Sequence, residues 1–324
     1  MSNQKNLWNQ EVYAQFRKEI DPFKEHHYFR PLNKAYNGDN TFWKIPSPEP
    51  ALDNEFWNMV ASYSDNEPVK RAAISLASAI SKWEPDGDNL VFAAILRAGV
   101  PVADWLCRMI PGSVAVSLSL FVGLGIDKAA LNQVRENYPS RKIVFVDGWT
   151  GRGGVARELA KLGIAPLAVL IDPWGWADFS GCQSDIFCPS ACFTGAATLG
   201  FSRTFYVNSD SLFAAYRFPR EYCQDALVKK WQMLCPSSVF PDETPNKKRC
   251  FFKQTDLRIH SNEVCRALIN ADPDTIYFLH DPVYVKNNYP LLLALAELRR
   301  VKVVFNKSDL ETYQTCVACS FKKS

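Results

Sequence analysis

Apolar residues follow two different rhythms along this chain of 324 residues. Between residues 90 and 171, apolar runs of strand length alternate with segments whose apolar residues recur at helical spacing. The predicted strands are 90–96, 114–121, 143–146 and 167–171, and the predicted helices are 100–110, 128–137 and 155–162. Because this alternation is typical of a parallel sheet covered by helices, the predicted fold class is α/β.

The N-terminal part shows a different pattern. Four apolar residues spaced by four predict one face of a helix, namely Trp8, Val12, Phe16 and Ile20. Residues 31–50 are rich in proline and aromatic side chains and predict an irregular wrap around the next domain, and a further helix is predicted at 67–83. We therefore expect residues 1–84 to form a helical and irregular extension of a core that spans 85–235.

A polar, proline-bearing stretch at 236–250 predicts a linker. Beyond it, residues 251–324 predict a small second α/β domain. The elements predicted in that domain are a helix at 261–269, a strand at 275–279, a helix at 291–299 and a strand at 302–305.

Charge is unevenly distributed between the two ends. Residues 245–324 carry 13 basic and 8 acidic side chains, a net charge of +5, whereas residues 1–244 carry 24 and 26, a net charge of −2. A basic C-terminal domain is compatible with a nucleic-acid partner, and a solvated basic surface is an equally common alternative. The residues predicted to form an RNA-binding face are Arg258, Arg266, Arg299, Arg300 and Lys302.

Composition narrows the class of protein further. With 47% hydrophobic and 22% charged residues, the chain has the make-up of a globular protein. It has neither a signal-like N-terminus nor an apolar run long enough to cross a bilayer, so we expect a cytoplasmic protein without a membrane partner.

The ten cysteines of a cytoplasmic protein are expected to be reduced thiols. The pair Cys316 and Cys319 is a weak candidate for a zinc site, since no second pair accompanies it.

The strongest chemical signal is a glycine-rich loop after the third strand of the core. Asp147 follows that strand, and four glycines occur within the next seven residues, before a helix begins. Glycines let backbone amides approach a phosphate, and a helix N-terminus adds free N–H donors. The candidate site residues in this loop are Asp147, Gly148, Trp149, Thr150, Gly151, Arg152, Gly153 and Gly154.

A second loop follows the first strand of the core and contains Arg97, Ala98 and Gly99. Since the carboxyl ends of parallel strands meet at one edge of the sheet, the two loops are expected to lie together. Two phosphate-binding loops suit a ligand with two phosphate ends.

These loops resemble a known family. Residues 95–100 (Ile-Leu-Arg-Ala-Gly-Val) and 145–153 (Phe-Val-Asp-Gly-Trp-Thr-Gly-Arg-Gly) are similar to the type I phosphoribosyltransferases. More narrowly, they resemble the phosphoribosyltransferase-like family of tellurium-resistance and stress operons, also labelled cysteine protease StiP. Asp172-Pro173, Pro189 to Cys192 and Ser202 to Thr204 share that similarity. In this family the C-terminal segment is a Pelota-like RNA-binding domain.

The resemblance implies a phosphoribosyltransferase-type core and a glycosyltransferase activity. The substrates would be 5-phosphoribosyl 1-diphosphate and an unknown base-like acceptor, with magnesium held through the diphosphate and no metal ligand from the protein. Asp147 would hold the ribose and act as the catalytic residue. Residues 150–154 would hold the 5-phosphate, Arg97 to Gly99 the pyrophosphate, and Asp172 would complete the substrate site. A homodimer and an RNA partner for residues 251–324 are further expectations.

One departure from the family pattern bears on activity, because Gly148 stands where transferases carry a second acid. A non-catalytic sensor of sugar phosphates or nucleotides that also binds RNA is therefore an alternative. A second alternative is a dinucleotide-binding enzyme, since residues 151–156 match GxGxxA and Asp172 follows at a strand end. A cysteine protease is disfavoured, because none of the four histidines lies in the α/β core that contains Cys192. Trp149, Trp174 and Trp176 either stack on an acceptor or pack on neighbouring loops.

Overall fold

The computed structural model describes residues 4–32, 38–163, 166–237 and 255–322. Most of the predicted linker at 236–250 lies outside these ranges.

The strands are β1 (Gln4–Lys5), β2 (Glu11–Val12), β3 (Gln15–Glu19), β4 (Leu90–Ile95), β5 (Val114–Leu118), β6 (Leu120–Phe121), β7 (Gly125–Ile126), β8 (Lys142–Trp149), β9 (Leu167–Ile171), β10 (Phe179–Cys182), β11 (Ala214–Arg217), β12 (Arg258–Ile259), β13 (Thr275–Phe278), β14 (Lys302–Val304) and β15 (Val317–Ser320). The α-helices are α1 (Asn54–Tyr63), α2 (Glu67–Trp83), α3 (Gly99–Met109), α4 (Lys128–Asn137), α5 (Gly154–Lys161), α6 (Gly195–Thr198), α7 (Asp225–Met233), α8 (Ser261–Asn270), α9 (Pro282–Asn288) and α10 (Pro290–Leu298).

A seven-stranded sheet forms the centre of the protein, in the order β1-β2-β5-β4-β8-β9-β10. All neighbouring pairs are parallel except β1 and β2. The predicted α/β fold class with a mostly parallel sheet is therefore confirmed. Helices cover both faces, and several begin at side-chain caps; for example, Asn66 accepts a hydrogen bond from the Val69 amide at the start of α2.

Alternate residues of the central strands face opposite sides of the sheet, as strand geometry requires. Phe92 and Ala94 belong to one buried cluster, and Val91 and Ala93 to another. The first cluster also contains residues of the C-terminal part, such as Val264 on α8. The C-terminal segment therefore shares its hydrophobic core with the central sheet.

The C-terminal segment forms a four-stranded sheet in the order β12-β15-β13-β14. Its α8, β13, α10 and β14 agree with the predicted elements to within one residue at each end. Their apolar periodicity is strong, so the pattern alone was enough to locate them.

The predicted N-terminal helix is wrong. Val12 pairs with Ser117 as β2 adds to the edge of the central sheet, and Phe16 pairs with Ala215 where β3 meets β11. Neighbouring sheet edges satisfy the backbone of this segment, and this tertiary pairing outweighs the helical spacing of its apolar residues. Among the described residues of the extension, two short 3-10 helices at His26–Tyr28 and Asn40–Lys44 precede the α-helix α1.

Candidate functional site

Two loops at the carboxyl edge of the sheet form the base of a cavity. The first follows β4, contains a cis peptide bond between Leu96 and Arg97, and leads into α3. The second follows β8 and leads into α5. Because β4 and β8 pair in parallel, both loops lie at the same edge, as the sequence predicted.

Glycine allows these loops to approach each other closely. A Cβ on Gly99 would overlap the Val146 carbonyl oxygen, and a Cβ on Gly148 would lie 3.2 Å from the Ala98 carbonyl oxygen. Neither position tolerates a larger residue without movement of the backbone. The two glycines therefore shape the floor of the site.

The cavity has two adjoining lobes. The first, of about 410 Å³, is lined by Arg97, Ala98, Asp147 and Trp149 from the predicted set. The second, of about 520 Å³, is lined by the rest of the glycine-rich loop, from Thr150 to Gly154. Both lobes share Asp147 and Trp149, so they form one continuous site.

Asp172, also predicted to bind substrate, does not line either lobe. Its buried carboxylate accepts hydrogen bonds from Thr150 Oγ1 and from the backbone amides of Trp176 and Ala177. With these donors it ties the loop after β9 to the loop after β8. We infer that Asp172 does not contact a ligand in the cavity but holds the glycine-rich loop in position through Thr150.

Five arginines line the first lobe, and only Arg97 was among the predicted site residues. They come from distant parts of the chain and are Arg30, Arg97, Arg203, Arg258 and Arg266. Arg258 and Arg266 were predicted to lie on an RNA-binding face, whereas the structure directs both into the cavity. Only the folded chain brings these cations together, and no local pattern marks them.

The arginine side chains differ in their partners. Arg97 pairs with the buried carboxylate of Glu49 at 2.5 Å, and Glu49 also accepts a hydrogen bond from the Gly195 amide. Arg258 pairs with Glu263 at 2.8 Å. Arg266 donates to the carbonyl oxygens of Ala191 and Phe193 rather than to a carboxylate. These bonds hold the guanidinium groups at fixed positions in the wall.

Arg203 is held by aromatic rings. Its guanidinium lies 4.7 Å from the ring centre of Trp43 and 5.1 Å from that of Phe121. Burial, and then the nearby Arg30 and Arg97, lower the pKa of Arg203 well below its usual value. Burial and Arg97 likewise lower the pKa of Arg266 to about 10. The cavity is therefore strongly cationic.

Two carboxyl groups face these cations. Burial raises the pKa of Asp147 to about 7, and the nearby Glu263 adds to this rise. Burial acts in the same direction on Glu263, but Arg258 and a hydrogen bond from Trp149 lower its pKa overall. The surroundings therefore favour the ionised form of Glu263, whereas Asp147 keeps its proton to a higher pH than an ordinary aspartate does.

The C-terminal part packs against the glycine-rich loop. Glu263 lies against Gly151, where a Cβ would be 2.7 Å from its Cγ. Trp176 packs on Gly153, and Trp174 donates to the Tyr313 carbonyl oxygen. The two tryptophans therefore pack on neighbouring loops, and a carboxylate stands beside the loop predicted to hold a phosphate.

Among the described residues no thiol or histidine lines this cavity, but His260 lies close to Thr150, Asp172 and Glu263. In the described ranges, the cavity lining contains no cysteine, and Cys192 meets Cys265 rather than a histidine. His260 is buried beside Trp174, and the rings of His27 and His280 lie next to Tyr28 and Tyr284.

Neither a metal site nor a membrane helix is found in the parts of the chain that the structure describes. No group of three or more His, Cys, Asp or Glu side chains there is placed to hold a metal ion. No helix among those residues is both long and apolar enough to cross a membrane.

Comparison with known proteins identifies the family. A family described as "Tellurite-like stress resistance cysteine protease StiP" matches residues 37–225, which is more than half of the chain. The "Cysteine protease StiP" of Acinetobacter baylyi (strain ATCC 33305 / BD413 / ADP1) is 35% identical over 116 residues. That alignment covers 32% of this chain and 30% of the relative. No solved structure matches significantly.

The comparisons correct the predicted function. Both matches are named as cysteine proteases, so the prediction of a phosphoribosyltransferase, and of a glycosyltransferase in general, is wrong. The sensor and dinucleotide-binding alternatives are set aside with it. The predicted resemblance to the stress-resistance family is confirmed, and the chain belongs to the StiP family of tellurite-like stress resistance proteins.

Proposed function

We propose that this chain is a stress-resistance hydrolase that binds an anionic peptide in the arginine-lined cavity and uses Asp147 as its proton-transfer group. The observation that carries the proposal is the placement of Asp147. Its carboxyl group, with a pKa of about 7, faces a lobe lined by five arginines. A carboxyl group that titrates near neutral pH in a cleft is suited to acid–base catalysis.

The cationic wall supports an anionic substrate. Among the residues described, no carboxylate pairs with Arg203 or Arg266 within 4.0 Å, and burial together with repulsion by other arginines lowers the pKa of both. A bound anion would offset this repulsion and would accept charge-assisted hydrogen bonds from the guanidinium groups. The same wall would reject cationic substrates.

The peptide bond is the class of target named by the relative, which is called a cysteine protease. That alignment covers about a third of each chain, so the activity of the whole relative is not carried over. Combined with the arginine wall, the name favours peptides with Asp or Glu side chains. The two adjoining lobes offer room for several residues of an extended segment.

Water rather than a thiol is the proposed nucleophile, because in the described ranges the cavity lining holds no cysteine. Ionised Asp147 takes a proton from the water as its oxygen attacks the peptide carbonyl carbon. Guanidinium groups stabilise the resulting oxyanion. Protonated Asp147 then gives the proton to the leaving nitrogen, so that the C–N bond breaks and a carboxylic acid and an amine are released.

The pKa values of Asp147 and Glu263 are shifted in opposite directions by their surroundings. Arg258 and Trp149 hold Glu263 ionised, and its negative charge contributes to the raised pKa of Asp147. Pairs of acids whose surroundings separate their pKa values are characteristic of acid–base sites.

Several finer expectations stay predictions. They are a phosphoribosyltransferase-type arrangement of the core, a Pelota-like character and RNA partner for residues 251–324, bound magnesium, a homodimer and a cytoplasmic location. None of them is needed for the proposed hydrolysis.

The test is cleavage of acidic peptides. The full chain is incubated at pH 7.5 with one panel of peptides rich in Asp and Glu and with a matched panel carrying Asn and Gln, and products are identified by mass spectrometry. We expect cleavage of the acidic panel, and a loss of about 100-fold or more in Asp147→Asn. Binding of both panels with no cleavage in either would overturn the proposal.

A further inference from the structure

Two buried thiols meet where the C-terminal part packs on the core. Cys192 ends a short 3-10 helix, Pro189–Cys192, and Cys265 lies in the middle of α8. Their sulfur atoms are 3.7 Å apart, and neither residue is exposed to solvent. The contact joins residues 73 positions apart in the sequence, on either side of the predicted linker.

We propose that Cys192 and Cys265 form an oxidant-sensitive disulfide site that cross-links α8 to the core. A disulfide needs a sulfur–sulfur distance of about 2.05 Å, so the two sulfurs must approach by roughly 1.7 Å. Rotation of both side chains about their Cα–Cβ bonds brings the two sulfurs closer together. Formation of the disulfide does not require the proposed hydrolysis, because neither sulfur belongs to the cavity lining.

The reaction with a peroxide balances without another reagent. One sulfur attacks an oxygen of hydrogen peroxide, the O–O bond breaks, and a sulfenic acid and one water form. The second sulfur attacks the sulfenic sulfur, the S–O bond breaks, and a second water leaves. In total, two thiols and one peroxide give one disulfide and two waters, and the sulfurs lose two electrons.

A water-sized cavity lies next to residues that neighbour the pair in the sequence. A small cavity of about 10 Å³, large enough for roughly one water molecule, is lined by Ser190, Phe193 and Arg266, which flank the two cysteines. It shares Arg97, Ala98 and Arg266 with the main cavity. The small cavity therefore adjoins the wall of the main cavity, on the side of the residues that flank the two cysteines.

The surroundings of Cys192 determine how fast its thiol is oxidised. Burial raises the pKa of Cys192, and its contact with Cys265 adds to this, whereas the Arg266 guanidinium acts in the opposite direction. The thiol is thus largely protonated, and oxidation is expected to be slow compared with that of an exposed thiolate. A pair of this kind responds to sustained oxidative stress rather than to brief exposure.

The cross-link would hold the cavity together. Arg266, next to Cys265, donates to the carbonyl oxygens of Ala191 and Phe193, on both sides of Cys192. A disulfide here fixes that wall of the cavity and restricts the long loop between the two cysteines in the unfolded chain. The oxidised protein is therefore expected to unfold at a higher temperature.

Peptide mapping tests the site directly. The full chain is treated with hydrogen peroxide, its free thiols are alkylated, and non-reduced digests are analysed by mass spectrometry. We expect a linked pair of peptides that contain Cys192 and Cys265, an unfolding temperature that rises by several degrees, and reversal of both by dithiothreitol. A linkage of Cys265 to the nearby Cys188, or oxidation confined to half-buried thiols such as Cys182, would overturn the proposal.

Matched variants separate the cross-link from general thiol damage. Cys192→Ser should abolish both the linked peptides and the rise in unfolding temperature. Cys319→Ser, which alters another buried thiol, should preserve both. If Cys192→Ser does not fold, mapping of the wild-type protein alone decides, because the absence of the linked peptides there contradicts the proposal.

Discussion

The indole Nε1 of Trp149 donates a 3.0 Å hydrogen bond to Oε1 of Glu263, and this bond joins the end of β8 to helix α8. Glu263 also pairs with Arg258 at the end of the same cavity. The site is therefore built jointly by the core and by the C-terminal part. The charge of the site is set by the Arg258–Glu263 ion pair as well as by Asp147.

Replacing Glu263 should change the acidity of Asp147. In Glu263→Gln a negative charge near Asp147 is removed while Arg258 stays charged, so the pKa of Asp147 should fall below its value of about 7. NMR titration of the Asp147 carboxyl carbon measures this shift. An unchanged or higher pKa would show that Glu263 does not act on Asp147. Glu297→Gln, which alters a carboxylate on α10 away from the cavity lining, is the control.

Ionisation of the Asp147 carboxyl group should lower the stability of the folded protein at higher pH. Its pKa is raised in the folded protein, so folding is favoured below the ordinary pKa of an aspartate, near 4, and this contribution is lost as the pH rises through 7. The free energy of unfolding of Asp147→Asn should therefore exceed that of the wild type at pH 8 by on the order of 2 kcal/mol, and the difference should vanish at pH 4. Thermal unfolding at the two pH values measures it, and a difference that grows toward pH 4 would contradict the assignment.

Arg203 should contribute to binding more than to stability. Its buried guanidinium is crowded by other arginines, so Arg203→Met keeps much of the apolar stem while it removes a destabilising charge. We expect the unfolding temperature to stay equal or to rise, and the affinity for an acidic peptide to fall about 10- to 100-fold. Calorimetry measures both, with the exposed Lys302→Met as the control. Unchanged affinity would remove Arg203 from the binding site.

The glycine-rich loop should be intolerant of a side chain at Gly153. This residue has φ +75°, and a Cβ would overlap the indole ring of Trp176. Gly153→Ala should lower the unfolding temperature by about 6 °C or more, through backbone strain and steric overlap. Gly163→Ala provides the matched control, because Gly163 also has a positive φ, of +60°, but open space around its Cβ position. Equal effects of the two variants would mean that contact with Trp176 is unimportant.

The sequence predicted those parts of the structure that depend on local pattern. Helix α2 was predicted with the bounds that the structure shows, and the loops at Arg97 and Asp147 were predicted to meet because parallel strands share an edge. The N-terminal segment was mispredicted, because Val12 and Phe16 pair with strands more than a hundred residues away. Such pairing leaves no mark in the local spacing of apolar residues.

The chemistry of the site was harder to predict than its place. Arg30 and Arg203 lie far from both loops in the sequence, and only the fold directs them into the cavity. Glu263 was likewise missed, although it converts a phosphate-type loop into one faced by a carboxylate. Glycine spacing reports where a backbone can approach a ligand, whereas side chains from distant segments decide which ligand is accepted.

The most direct test of the central claim is the pH dependence of kcat/KM for an acidic peptide, measured for the wild type and for Asp147→Asn, with and without iodoacetamide. We predict that wild-type activity rises through an inflection near pH 7, survives alkylation of the accessible thiols, and is lost in Asp147→Asn. Activity that is abolished by iodoacetamide and retained in Asp147→Asn would contradict the account and assign catalysis to a thiol.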